Sequence, residues 1–221
     1  MDVSFWGPSG WQLLHLIAAK GDGDVLLYMP DVLPCKYCRK SARLFRREEP
    51  PHGDLQRWLY NFHNKVNQKL VKQHEKDPKC PRPTPAGAFE GVQKHYKDLL
   101  KSKPTEIPGQ DFLYSMAYNY ETQFQKYHER FWQALVKSFP FYTISMPDFT
   151  SNLTYLESVY DMFSKLRPQK SLQGIRQQLA YYKAGCSHKS YKGKTCKKTG
   201  TGYTKRRDRD RTYRLTHSRL L

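Results

Sequence analysis

The chain is expected to be all-α: four helices in its first hundred residues, a second helical block, and a basic tail. Three observations predict this. Apolar residues recur at three- and four-residue spacing through most of the sequence. No stretch alternates convincingly with the two-residue period of a strand. From Lys183 onward, Gly, Ser, Thr, Lys and Arg replace the apolar residues a core requires, so the last 39 residues are expected to lack fixed structure.

The elements follow in order. Leu13, Leu14, Ile17 and Ala18 join Trp11 on a helix that Ser9 or Gly10 can start and Gly21 can end. A second helix is expected from about Pro34, which the first turn tolerates, carrying Cys35, Cys38, Ala42 and Phe45 and stopping before Pro50-Pro51. The third is the clearest: Asp54 is its N-cap, and Leu55, Trp58, Leu59, Phe62, Val66 and Leu70 form its apolar stripe. Four prolines between Pro78 and Pro85 break the chain, and a fourth helix covers about Gly87 to Leu100. Lys103-Pro104 to Pro108-Gly109 has the composition of a linker. After it come the aromatic-rich segment from Phe112 to Trp132, interruptions at Pro140 and Pro147, and helices near Asn152–Leu166 and Ser171–Tyr182. The expected domains are therefore 1–104, 109–182 and a tail, 183–221.

Lys and Arg number 38 against 20 Asp and Glu, a formal charge of +18. The tail holds 13 of these cations against two Asp. Such a balance favours nucleic acid or an acidic partner, with the Lys205–Arg214 run as the patch. No stretch approaches the roughly 20 apolar residues of a membrane span, and Met1–Gly10 lacks the basic and apolar regions of a secretory signal. A soluble protein made in the cytosol is expected. Five cysteines are too few to staple a chain of 221 residues; a tight pair with scattered singles suggests chemistry.

Cys35-Lys36-Tyr37-Cys38 is that pair. Its spacing puts both sulfurs within disulfide reach at a helix start, where unpaired amides, the helix dipole and nearby Lys36, Arg39 and Lys40 favour a thiolate. The thiolate is the nucleophile of disulfide exchange. Alone, the motif also suits half a zinc site completed by Cys186, His188 and Cys196, or two buried thiols. His63 and Asn67 lie four apart beside Val66 and Leu70, with Lys69 and Lys72 beyond, a surface able to hold a planar ligand and its phosphate. It also suits the polar flank of an ordinary amphipathic helix. Trp11 and His15, again four apart, suit either a ring-lined site or a core.

Taken in order, Phe5-Trp6-Gly7-Pro8-Ser9-Gly10-Trp11-x-Leu13-Leu14-His15, then Pro34-Cys35-x-x-Cys38, then Trp58-Leu59-x-x-Phe62-His63-Asn64-x-Val66-Asn67-x-Lys69-Leu70, resemble the Erv/ALR family of FAD-linked sulfhydryl oxidases. The opening Trp-Gly-Pro is similar to members encoded by large DNA viruses. The resemblance covers about residues 5 to 80. It implies a four-helix bundle that binds FAD, commonly as a homodimer. It implies that Cys38 lies against the flavin and Cys35 exchanges with substrate thiols. Gly7, Trp11, His15, His63, Asn64, Val66 and Asn67 would line the cofactor, and Lys69 and Lys72 would reach its phosphates or ribose; no metal is implied.

The chain departs from the family pattern at Tyr60, where many members carry the first cysteine of a structural disulfide, and Cys80 then lacks an obvious family partner. Beyond Lys72 the match fades into a Pro-rich stretch, and Tyr96 on the fourth helix is the candidate adenine contact. Some members carry a mobile cysteine pair that passes electrons to the active-site pair, a role Cys186 and Cys196 could fill from the tail. The expected function is oxidation of protein thiols or a small redox carrier, with oxygen reduced to hydrogen peroxide, in host cytoplasm or a virion. The alternative is a zinc-stabilised nucleic-acid-binding protein using Cys35, Cys38, Cys186 and Cys196.

Overall fold

A computed structural model describes residues 1–78, 80, 82–188, 190–191 and 194–195, with side chains described up to Lys183. Helix α1 spans Val3–Lys20, several residues earlier than the Ser9/Gly10 start expected from the sequence. Asp2 caps it, its carboxylate accepting from the Ser4 N–H at 3.1 Å, and Pro8 lies inside. Proline crowds the Cβ and N–H of the residue before it; here that residue is Gly7, which removes the Cβ part of the clash. At the other end Gly21 takes φ +85° and donates to the Ala18 carbonyl, the stop its position predicts.

Helix α2, Asp24–Val32, was hidden in the sequence by its nine-residue length and the internal Pro30. Val25, Leu26, Met29 and Val32 bury its inner face. Helix α3 is Lys36–Glu48, with Cys35 at the N-cap. Helix α4 is Leu55–Lys76, capped by Asp54, which accepts from the Gln56 and Arg57 N–H groups at 3.0 and 3.3 Å. Helix α5 is Phe89–Lys101. The second block holds α6 (Gln110–Tyr118), a 3-10 turn at Thr122–Phe124, α7 (Gln125–Ser138), α8 (Asn152–Leu166) and α9 (Leu172–His188). Ser151 and Thr154 form a capping box at the start of α8. Helix α9 runs beyond the expected Lys183 boundary of the tail, and a short antiparallel pair follows, β1 (Ser190–Tyr191) with β2 (Lys194–Thr195).

Helix α1 is central. It packs on α4 and α5 and also on α6, while α2 packs on α3 and α7. One apolar cluster therefore runs from Leu13, Ile17 and Leu59 through Phe112 to Trp132 and Phe163. Two polar contacts and one close backbone approach fix the elements around the cysteines. Asp31 on α2, 7% exposed, accepts from Arg43 Nε and Arg46 Nη1 on α3, each at 2.6 Å. Tyr60 on α4 donates to the Gly87 carbonyl at 2.9 Å and packs edge-on against Phe89. A phenol thus ties α4 to the entry of α5. Gly109, φ +79°, lets the start of α6 press against Leu13 of α1.

Candidate active site

Cys35 is in extended conformation, and its sulfur accepts from the Cys38 N–H at 3.4 Å. The N-terminal amides of α3 have no carbonyl partner one turn back, so a negative sulfur at the cap is stabilised there. The Cys35 thiol is held below the usual range by the Cys38 thiol that donates to it, against its own burial, and by the amides of Cys38 and Tyr37. Cys38 is pushed the opposite way, first because its proton is held toward Cys35 and then by burial; Lys69 offsets part of this. The pair is thus asymmetric, with the first thiolate forming on Cys35. Both sulfurs are thiols in this structure.

The surroundings are equally divided. Cys38 lines a narrow apolar cavity of about 110 Å³. Its walls come from Trp6, Gly7, Gly10 and Trp11 on α1, Ser41 and Phe45 on α3, Phe62 and Val66 on α4, and Phe112 on α6. Cys35 does not line it. One of its walls carries an unmet polar demand: the Trp6 indole N–H is buried without a hydrogen-bond partner. A Cβ on Gly10 would come within 3.3 Å of the Phe112 ring, so glycine there keeps the wall flat. Lys69 donates to Ser41 Oγ at 2.6 Å, which puts its ammonium on the cavity, one turn along from Cys38.

Trp11 joins this cavity to a second. Its ring stacks on His63, with centroids 3.7 Å apart and planes 10° from parallel. His63, His15, Tyr60 and Tyr96 line the second cavity, of about 350 Å³, together with the backbone around Gly87. His15 stacks on Tyr96 at 4.7 Å, and the two imidazoles share one hydrogen bond, 3.3 Å between His15 Nε2 and His63 Nδ1. Burial is the first cause that lowers their pKa values, His15 to about 3 and His63 to about 4, so both rings are neutral near pH 7.

The structure therefore gathers Gly7, Trp11, Val66, Lys69 and Cys38 around one cavity, and His15 and His63 around the next. Asn64 and Asn67 are partly buried on α4 but line neither, and Lys72 is exposed beyond both. Lys69 points toward Ser41, on the cysteine side, and not outward with Lys72. Sequence reasoning missed Trp6, Gly10, Ser41 and Phe112 as site residues. The first two lay inside the quoted motif, and residues 3, 6, 7, 10, 11 and 14 share a face of α1, a pattern that the expected start at Ser9 or Gly10 concealed for Trp6. Phe112 was not, because it comes from the second block.

That block also covers α3. Arg39 donates to the Leu33 carbonyl at 2.6 Å and lies over the Phe124 ring at 5.4 Å; Arg43 lies over Tyr127 at 5.5 Å. Aromatic rings of the second block thereby hold two cations of the cysteine helix. Among the described residues, no three of His, Cys, Asp and Glu converge as a metal site, and no helix is long and apolar enough to cross a membrane. Cys196 lies outside the described residues, as does the side chain of Cys186.

The Erv1 / Alr family pattern matches residues 8–83, the segment that carries both cavities and the cysteine pair. The mitochondrial FAD-linked sulfhydryl oxidase ERV1 of Saccharomyces cerevisiae is 36% identical over 86 residues, which is 32% of this chain and 46% of that protein. The chain thus spans less than half the length of this relative. An FAD-linked sulfhydryl oxidase of African swine fever virus (Warthog/Namibia isolate) is 34% identical over 83 residues, 31% of this chain and 70% of the viral protein. The protein of the same name from a Kenyan isolate is 32% identical over the same length. No solved structure gives a significant match. With the matched segment covering most of the viral relatives and enclosing the Cys35–Cys38 pair, the chain belongs to the Erv1/Alr family.

Proposed function

We propose that this protein is an FAD-linked thiol oxidase whose Cys35–Cys38 disulfide takes electrons from substrate thiols. The observation that carries this reading is the division of the pair: Cys35 caps α3 outside the cavity, and Cys38 lines a ring-walled cavity beside it. The side chains suit FAD. Apolar walls and the unpartnered Trp6 N–H suit a flavin ring, and Lys69 suits negative charge on it. The neutral rings of His15, His63 and Tyr96 suit the adenine. The cavity beside Cys38 is smaller than a tricyclic ring, so entry requires flexible wall side chains such as Leu70 to rotate.

In the reaction, a substrate thiolate attacks Cys35 Sγ of the disulfide, and Cys38 leaves as thiolate. Lys69 offsets the negative charge that Cys38 then carries. A second substrate thiolate attacks its partner sulfur in the mixed disulfide and releases Cys35, whose acidic thiol makes it a good leaving group. The two substrate thiolates have lost two electrons, which the cysteine pair now holds as thiolates, and the protons released when the substrate thiols ionised stay with solvent or reprotonate the pair. FAD, when bound, supplies the acceptor that reoxidises the pair and passes the electrons to oxygen as hydrogen peroxide.

The substrates in this reading are protein thiols or a small redox carrier, the enzyme is a homodimer, and it works in host cytoplasm or a virion, with two of the three relatives named above being viral. The tail pair Cys186 and Cys196 would collect electrons from protein substrates, and the basic run would hold nucleic acid or an acidic partner. The test is the spectrum of the purified protein with oxygen uptake on a dithiol. A yellow protein that consumes oxygen, and stops when either cysteine is replaced by serine, supports the reading. A folded, colourless protein that stays flavin-free after supplementation overturns it.

A further inference from the structure

We propose that the cleft between α1, α5, α6 and the turn at Arg167–Lys170 is a second binding site, for a small zwitterionic peptide. At about 710 Å³ it is larger than either cavity beside the cysteines, and it includes neither cysteine. Its volume lies in the range of small-molecule sites. Tyr114 of α6 lines it, only 2% exposed, and the Tyr114 hydroxyl has no hydrogen-bond partner. A buried hydroxyl left this way is costly; it is sealed from solvent, so a ligand that displaces the side chains covering it and pairs with it recovers the loss.

The charges select the ligand class. Asp111 lies one turn before Tyr114 and lines the same cleft, with Glu106 beside it; Lys170 and Arg167 lie on the facing turn. Burial and then Glu106 raise the Asp111 carboxyl above its ordinary range, and Lys170 of the facing turn offsets only part of this, so a further cation would be favoured there. A polyanion meets two carboxylates here, and a simple cation meets Lys170 and Arg167. A molecule bearing one ammonium and one carboxylate matches both ends. Between them the lining is rich in carboxamides, including Gln12, Gln110, Gln169 and Gln178, which donate to and accept from peptide groups. Gln110 and Gln169 already hold each other at 2.5 Å, and Arg167 is braced on the Pro104 carbonyl at 2.8 Å and on the Tyr142 hydroxyl at 2.9 Å. The wall is thus built before any ligand arrives, which lowers the cost of binding.

Calorimetric titration of the full chain with triglycine tests the site, with N-acetyl-triglycine, triglycine amide and inorganic phosphate as comparison probes. Triglycine is expected to bind saturably, and removing its ammonium or its carboxylate charge is expected to weaken binding about tenfold each, the scale of one charge-assisted hydrogen bond. Asp111→Asn should abolish the discrimination against the acetylated probe. Tyr114→Phe should act in opposite directions: a higher melting temperature without ligand, because the unpaired hydroxyl is gone, and about tenfold weaker binding. No saturable triglycine binding up to about 50 millimolar, equal affinity for the blocked probes, or triglycine binding unchanged in both variants would each overturn the proposal. Displacement of triglycine by phosphate with equal or better affinity would overturn it in favour of an anion site.

Discussion

The indole of Trp11 lies flat on the imidazole of His63, 3.7 Å between centroids and 10° between planes, and it is the wall between two cavities. Trp11 faces the side that holds Cys38, and His63 faces the side that holds Tyr96. Removing either ring merges the cavities and removes stacking surface. His63→Ala is therefore expected to lower flavin retained per folded molecule several-fold, since an aromatic pair contributes about 0.5–1.5 kcal/mol beyond its buried area. Asn67→Ala, which lines neither cavity, is expected to lower it less. Flavin absorbance measured against protein absorbance, with circular dichroism to count folded molecules, checks both; equal losses would put Asn67 back at the cofactor.

The thiol asymmetry gives a pH prediction. Cys35 is acidified chiefly by the Cys38 thiol that donates to it. In the reduced protein, alkylation of Cys35 by iodoacetamide should stay fast below the ordinary thiol range and slow as pH falls through the lowered value. In Cys38→Ala that donor is gone, so the midpoint should rise. A midpoint that does not move would assign the acidity to the helix amides alone. In Cys35→Ser, Cys38 loses the neighbour that raises it. A long-wavelength absorption band from a thiolate against the flavin should appear and strengthen with pH, and the corresponding Cys38→Ser variant should lack it.

Legibility in the sequence followed how local each signal is. The α4 cap at Asp54 and the Gly21 stop are set by residues within one turn of each other, and they stand where spacing put them; α3 instead begins at Lys36, two residues after the expected Pro34, which leaves Cys35 as its cap. The start of α1 was misplaced because Pro8 reads as punctuation, although the helix runs through it from Val3 and Gly7 before it eases one of its clashes. Helix α2 was missed because nine residues with an internal proline give too short a period. The direction of Lys69 and the place of Phe112 depend on which helix stands opposite, and spacing along one chain segment does not encode that.

Asp31 makes a stability prediction. It is 9% exposed by side chain and holds Arg43 and Arg46, which are 35% and 24% exposed. Asp31→Asn leaves two guanidinium groups facing an uncharged amide. The partial exposure of the arginines moderates the loss, and a destabilisation of about 1–3 kcal/mol is expected. Urea denaturation measures it. Because Asp31 tethers α3 to α2, thiol turnover should fall even in molecules that remain folded. Arg43→Met alone should cost less, since Arg46 keeps the carboxylate paired. Equal costs would mean that the clamp acts as one unit.

Gly109 gives the sharpest structural prediction, because two independent constraints meet there. Its φ of +79° lies in the left-handed region, which costs a residue with a Cβ about 1–2 kcal/mol. A Cβ would also fall 2.5 Å from Leu13 Cδ2 and 2.8 Å from Leu13 Cβ. The second contact is with the stem of the side chain, so rotating Leu13 does not clear it. The α1–α6 contact must open instead, at an overpacking cost of about 1–3 kcal/mol. Gly109→Ala is thus expected to lose about 2–5 kcal/mol in urea denaturation. Gly91, inside α5, meets nothing within 4 Å and has no left-handed φ. Gly91→Ala should therefore stabilise the protein by about 0.4–1 kcal/mol. Since Phe112 reaches the Cys38 cavity from α6, opening the α1–α6 contact should also withdraw that wall. Gly109→Ala should bind flavin more weakly at temperatures where it is still folded. If it loses stability but keeps full flavin affinity, the second block supports the fold without shaping the cofactor cavity.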